Sequence, residues 1–237
     1  MTGVRFQPAS DQSLLVSFGQ QITLDAHQRV TQLLRLLASE PIADIRNLHP
    51  AYCSLLIKFD PLKIGHKELE AIVQTYLDQL ENVTLPEPRQ MEIPVCYGGD
   101  YGPDLNDVAA MHDMKPEHVI ELHVSVNYHV YFLGFVPGFA YLGEMPAALL
   151  TPRLPSPRRR VPAGSVGIAG TQTAIYPFAT PGGWRLLGRT PVQIFRPERS
   201  VMDQDVMNQD AMSLLSIGDR VRFTPISPET FAALEQA

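Results

Sequence analysis

Apolar and polar positions follow two different periods over the first ninety residues. Val4–Phe6 and Leu14–Phe18 are short apolar runs around a polar turn at Pro8–Ser13, and they predict two strands. Val30, Leu33, Leu34 and Leu37 then keep the i, i+3, i+4, i+7 spacing of one buried helical stripe. Thr23 is placed to cap that helix, with Asp25 in its first turn and Pro41 just past its end. Ile42–Leu48 and Ser54–Phe59 predict two further strands. A second helix starts after Gly65, with Leu69, Ile72, Val73, Tyr76, Leu77 and Leu80 on its buried face. Asn82–Gln90 is polar and proline-bearing, as a domain linker would be, and Met91–Tyr97 reads as a strand. From Leu14 the order is β-α-β-β-α with a closing β, the split βαβ pattern of a ferredoxin-like sandwich. The expected division is a ferredoxin-like domain over residues 1–88 and a second domain over 89–237. The first half offers no cluster of reactive groups and reads as scaffold or partner surface.

The pattern then changes. Tyr97–Asp104 is a turn-rich loop, and Asp104 is placed to cap a short helix running to about Met111. Pro116 stands where N1 of another helix would be, with Val119, Ile120 and Val124 facing inward. From Asn127 to Phe195 short apolar runs alternate with Gly/Pro turns, which is the signature of a barrel or sandwich. Residues 197–213 are polar and read as an exposed loop. Gly218-Asp219 turns into a closing strand at Val221–Phe223, and Ser227-Pro228-Glu229 starts a terminal helix. The fold class is therefore α+β.

Composition sharpens one part of this picture. Tyr131–Pro191 holds nine of the sixteen glycines and the single tryptophan, Trp184. It also holds six arginines against one acid, Glu144, a net charge of +5 in a chain of net charge −6. A basic, glycine-lined, partly aromatic patch on an acidic protein points to a local site for an anionic group, not to general nucleic-acid binding. No stretch approaches the roughly twenty apolar residues of a membrane span. The N-terminus has no basic-then-apolar leader, so a soluble cytoplasmic protein is expected. The two cysteines, Cys53 and Cys96, form no CxxC pair and read as free buried thiols.

Several motifs carry candidate chemistry. His112, His118, His123 and His129 cluster in sequence, but their spacing does not place close ligand pairs on one face, so no metal site is expected. His123, just before the glycine-rich segment, is the one histidine worth testing for a site role. Gly164-Ser-Val-Gly-Ile-Ala-Gly170 is neither GxxxxGK[ST] nor GxGxxG, though it could form a nest of backbone N–H groups. Ser165 has no evident base to make it a nucleophile. Arg153 and Arg158 each directly follow a proline and present forks suited to carboxylate or phosphate. Arg159 and Arg160 have a solvated charge run as their bland alternative. Gln172 and Thr173, before an expected strand, offer neutral amide-recognising groups. Pro181-Gly-Gly-Trp184 is a turn followed by an aromatic.

Taken together, GFVPGFAYLG, TPRLPSPRRRVPAGSVGIAGTQTAIYP and TPGGWRLLGRTP resemble the allophanate hydrolase subunit 1 / KipI family. PVCYGGDYGPDL and GDRVRFTPI are similar to further family blocks, so the resemblance is strong over about residues 90–226. It implies a cyclophilin-like β-barrel for the C-terminal part. It also implies a role in a 5-oxoprolinase complex, with a C subunit of the KipA / allophanate hydrolase subunit 2 type and an A subunit as partners. The implied reaction is ATP-dependent opening of the 5-oxoproline lactam to L-glutamate, with ATP, with or without magnesium, as the nucleotide. Two other readings stay open. One is a KipI-type inhibitor of a sensor histidine kinase. The other is a carboxyltransferase-like part of a urea carboxylase, for which this chain carries no biotin-attachment motif. The residues expected to act catalytically are His123, Arg153, Arg158 and Gln172. Those expected to bind substrate or nucleotide are Phe135, Pro137, Gly138, Tyr141, Pro162, Gly164, Ser165, Thr173, Tyr176, Gly182, Gly183, Trp184 and Arg189. Arg153, Arg158, Gln172, Thr173 and the Gly164–Ser165 turn are expected to line one cleft shared with the C subunit.

Overall fold

The computed structural model of the chain describes residues 3–197 and 212–236. It divides into two compact units, Met1–Glu87 and Pro88–Ala237. Most of the polar stretch 197–213 lies outside the described residues.

The first unit is a four-stranded antiparallel sheet with two helices. Strands β1 (Arg5–Ser10) and β2 (Ser13–Ser17) form a hairpin, followed by helix α1 (Leu24–Ser39). Strands β3 (Ile45–Pro50) and β4 (Ser54–Phe59) and helix α2 (His66–Leu77) complete it, and the sheet order is β1-β2-β4-β3. The Thr23 hydroxyl accepts from the Ala26 N–H at 3.2 Å, which opens α1 where the sequence places it. The period of two on β2 and β4 buries Leu14, Val16, Leu55, Ile57 and Phe59 against Val30, Leu33, Leu37, Leu69 and Val73 of the helices. The ferredoxin-like expectation needs one correction. Met91–Tyr97 does not close this sheet: the outer place beside β2 is filled by β1, and strand β5 (Gln90–Tyr97) belongs to the second unit. The tight turn between them makes β1 the cheapest neighbour for β2, because little chain entropy is lost in closing a short hairpin.

The second unit is built on a closed seven-stranded barrel. After β5 come helices α3 (Leu105–Met111) and α4 (Pro116–Val124), the latter with Pro116 at its first position. Strands β6 (Tyr128–Leu133), β7 (Ala140–Gly143), β8 (Arg158–Val161), β9 (Ser165–Ala169) and β10 (Gln172–Ile175) follow. Then come β11 (Thr180–Gly182), β12 (Arg185–Arg189), β13 (Arg220–Pro225) and helix α5 (Pro228–Glu235), capped by Ser227. The barrel runs β10-β7-β6-β13-β5-β12-β9, while β8 and β11 pair as a separate two-stranded flap. Closure depends on β13, which lies parallel to β5 from Arg220↔Gln90 to Pro225↔Val95 and antiparallel to β6.

Strand alternation sorts the barrel wall into two cores. Val166, Ile168, Ile175 and Leu187 join the main cluster with Ile93, Val130, Leu142, Val119 and Phe223. Their immediate neighbours Ala169, Ala174, Tyr176 and Leu186 turn to the other face, where they pack with Phe139, Val161 and Trp184. Strands β9, β10 and β12 are therefore buried on both faces, which explains why β9 reads as an unbroken buried run. The functional candidate lies over this second, outer cluster.

Candidate functional site

A pocket of about 520 Å³ opens on the outer cluster. Five aromatic rings line it: Phe135, Phe139, Tyr141, Tyr176 and Trp184. Phe139 meets Tyr141, Tyr176 and Trp184 edge to face, with centroids 5.0, 5.2 and 5.7 Å away. Tyr141 faces Ala174 in register on β10, and Gly167 stands opposite Ala174 on β9. A Cβ on Gly167 would sit 3.3 Å from the Cβ of Trp184, so the bare backbone there makes room for the indole. Phe135 holds φ = +67°, a conformation rare for a bulky residue, and is 61% exposed at the rim. Pro157, Thr180, Pro181, Gly182 and Gly183 bring the flap and the chain beside it into the lining.

Among the described residues, Arg153 is the only charged side chain lining this pocket. It is exposed, and among the described residues it makes no hydrogen bond or ion pair. The Leu154 N–H donates to the Gly183 carbonyl at 2.7 Å, which ties the segment carrying Arg153 to the flap turn. Burial pushes the Tyr176 phenol above its ordinary value, opposed by the Trp184 backbone N–H and then by Arg153. Burial likewise raises Tyr141, with Arg153 again pulling the other way. Both phenols are therefore neutral donors at pH 7. The arrangement suits a small flat molecule with one negative charge: rings for its faces, one fork for its anion.

Of the residues expected at the site, Phe135, Tyr141, Arg153, Tyr176, Gly182, Gly183 and Trp184 line this pocket. The others do not join them. Arg158 donates from Nη2 to the buried Asp104 carboxylate at 2.6 Å, so its charge is already matched. Thr173 is fully buried on the barrel side of β10, two residues from inward-facing Ile175. Gln172 opens β10 opposite Ala169, half-buried, and Pro162 and Pro137 lie outside the pocket, Pro162 exposed. Gly138 takes φ = +78° against Phe195. Arg189 donates from Nε to the Ala163 carbonyl and lies over the Phe231 ring. Gly164 packs on Thr190, where an added Cβ would come within 2.2 Å of its carbonyl oxygen, and Ser165 is buried in β9.

The glycine run forms no phosphate nest. The N–H groups of Gly164, Ser165 and Gly170 donate to the carbonyls of Tyr176, Pro162 and Thr151. Strand β9 is paired on both sides, by β10 and β12. These residues do not fit a nucleotide triphosphate, which needs several unengaged donors at one point.

His123 is fully buried, stacked 4.8 Å from the Phe223 ring. Its Nε2 lies 3.0 Å from the Thr173 hydroxyl, which itself donates to the Gly167 carbonyl. The N–H must then sit on Nε2, leaving Nδ1 to accept from the Tyr97 hydroxyl at 2.8 Å. A neutral ring satisfied on both nitrogens is a structural group, and burial lowers its pKa from 6.5 to about 3. The unfolded chain therefore binds more protons than the folded one between about pH 6.5 and 3, and stability falls as pH drops through that window. His123→Gln, which cannot titrate there, is expected to remove this slope. Between pH 7 and 5 the parent should lose roughly 2 kcal/mol that the variant keeps, as read from urea midpoints at the two pH values.

Asp104, Phe139, Leu154, Pro157 and Thr180 carry weight that sequence reasoning did not assign. Phe139 in GFVPGF looks like any core phenylalanine, and Asp104 looks like a helix cap. In the structure Asp104 holds the N-cap position of α3, but its side chain makes no capping bond: the carboxylate binds Arg158 and the Leu186 N–H.

Known proteins share this arrangement of elements. Residues 4–203 match the family model described as carboxyltransferase domain, subdomain C and D. The 5-oxoprolinase B subunit of Bacillus subtilis is 36% identical over 98% of both chains. That of Escherichia coli O157:H7 is 43% identical over 86% of this chain and 88% of its own. The chain belongs to the family of 5-oxoprolinase B subunits. Among solved structures, PH0987 of Pyrococcus horikoshii is 40% identical, with a TM-score of 0.55, over 96% of this chain and all of its own. TTHA0988 is 36% identical with a TM-score of 0.76 over 91% of this chain, which spans only 40% of that longer protein. The Kluyveromyces lactis urea carboxylase shares the fold at a TM-score of 0.78 and 21% identity, over 98% of this chain and 22% of its own. Among the described residues, no helix of this family member is long and apolar enough to cross a membrane.

Proposed function

We propose that this chain is the B subunit of a cytoplasmic, ATP-dependent 5-oxoprolinase complex. The complex opens 5-oxo-L-proline to L-glutamate while ATP goes to ADP and phosphate. Its partners are a C subunit of the KipA type and an A subunit. The observation that carries this reading is the single unpaired guanidinium of Arg153 beside five rings, in a family whose relatives are named as B subunits of 5-oxoprolinase. Arg153 binds the substrate carboxylate, and the rings of Tyr141, Tyr176 and Trp184 hold the flat lactam and exclude water from it. A five-membered lactam fills only part of about 520 Å³, which leaves room for groups from a neighbouring polypeptide. The amides of the glycine run are engaged, so ATP is assigned to the assembled complex and not to that run.

Two measurements test this. Mixing the chain with its C and A partners should give glutamate and ADP in step from 5-oxoproline and ATP, with no turnover by the chain alone. A mixture lacking this chain that turns over equally fast would refute the assignment. Trp184 is the only tryptophan, so its fluorescence reports directly on the pocket. It should respond to 5-oxoproline and not to ATP added alone.

A further inference from the structure

We propose that Asp104 and Arg158 are a positioning pair that fixes the flap and Trp184, and thereby sets the shape of the aromatic pocket. Neither side chain lines the pocket, and the proposal rests on reading that pocket as the substrate site. Asp104 is 4% exposed. Its backbone N–H donates to the Leu186 carbonyl at 3.1 Å, and its Oδ2 accepts from the Leu186 N–H at 2.7 Å. This clasp fixes the chain two residues beyond Trp184. Its Oδ1 accepts from Arg158 Nη2 at 2.6 Å, while Arg158 Nη1 reaches the Trp184 carbonyl at 3.5 Å. Arg158 stands opposite Gly182 in the flap register, next to Pro157. One buried carboxylate thus anchors the two strands that continue from the lining residues Pro157 and Trp184: β8 through a side chain, and the start of β12 through its backbone.

The physics favours placement over general stability as the role. An ion pair between a buried carboxylate and a part-exposed guanidinium gains little net stability after desolvation and screening, but its geometry is narrow because planar fork and carboxylate must align. Lysine can restore the charge and not the fork, since it cannot satisfy Asp104 and the Trp184 carbonyl from one plane. A loosened flap would leave Arg153 and the rings present but misaligned, and small misplacements of a binding group weaken it strongly.

The test uses the assembled complex with Arg158→Lys and Arg158→Ala. Arg158→Lys should raise KM for 5-oxoproline about tenfold with kcat changed less than about twofold. Acrylamide quenching of Trp184 should rise by about twofold in the same variant as the flap loosens. Should Arg158→Ala fail to fold, the lysine variant decides alone. A lysine variant with parental KM and quenching, whatever its melting temperature, overturns the positioning role. The underlying reading fails separately, and visibly, if Trp184 in the parent protein does not respond to 5-oxoproline at all.

Discussion

Gly102→Ala is expected to destabilise the barrel unit by about 3–5 kcal/mol, the range of a serious core or network disruption. A Cβ at this position would lie 1.9 Å from the Leu187 carbonyl oxygen, 2.3 Å from its carbon and 2.8 Å from the Gly188 nitrogen. All three are backbone atoms, so no side chain can swing away. The loop must lift from β12 by about an ångström or more to restore ordinary contact distances. Doing so breaks the Gly98 N–H to Leu187 bond and the double clasp of Asp104 on Leu186. Each lost bond costs about 1 kcal/mol, and the Asp104 carboxylate, nearly buried, loses its geometry with Arg158 as well. Urea unfolding followed by Trp184 fluorescence gives the shift. Gly19→Ala, with nothing within 4 Å of the added carbon, is the matched control and should be nearly silent. An unchanged midpoint for Gly102→Ala would mean that the loop does not rest on β12.

Arg153→Ala is expected to lower kcat/KM for 5-oxoproline in the complex by about 10²-fold, roughly 2.7 kcal/mol. That is the size of a two-pronged, charge-assisted contact to a carboxylate, partly sheltered from water by rings. Most of the loss should fall on KM, because the carboxylate is as charged in the ground state as it is during ring opening. Arg153→Lys should recover part of the loss as a point charge without the fork. The melting temperature should not move, since Arg153 is exposed and has no partner among the described residues whose loss would be felt. Parental kcat/KM in the alanine variant would remove Arg153 from the site.

The arginines show how far sequence can go. Proline before Arg153 and before Arg158 marks both as constrained, and nothing in the local pattern separates them. Their fates differ because Asp104, 54 positions earlier, reaches Arg158 and not Arg153. A carboxylate that far away is invisible to spacing rules, and its position ahead of a helix gives it a plausible local job that it does not do. Thr173 and Tyr176 make the same point. They lie close together on one stretch of chain, and the period of two turns the first toward His123 inside the barrel and the second outward to the pocket. The aromatic members were easier to find. Tyr141, Tyr176 and Trp184 stand out as large rings among glycines and prolines, where a slack loop would have none.

Short-range pattern was enough to specify the local elements. It set the helices over the apolar stripes of α1 and α2, the caps at Thr23 and Ser227, Pro116 at the start of α4, and the short strands between Gly/Pro turns. Each of these follows from contacts within a few residues, where spacing and backbone preference are enough. Long-range pairing settled the rest. It made β1 and not Met91–Tyr97 the outer strand beside β2, set β13 parallel to β5, and left Arg153 as the one charged side chain in the pocket lining among the described residues. Those choices turn on which distant strand edge, carboxylate or carbonyl offers the better partner, and on which face of a doubly buried strand each side chain falls. No single stretch of chain contains that information, because both partners of every such contact must be placed before either is favoured.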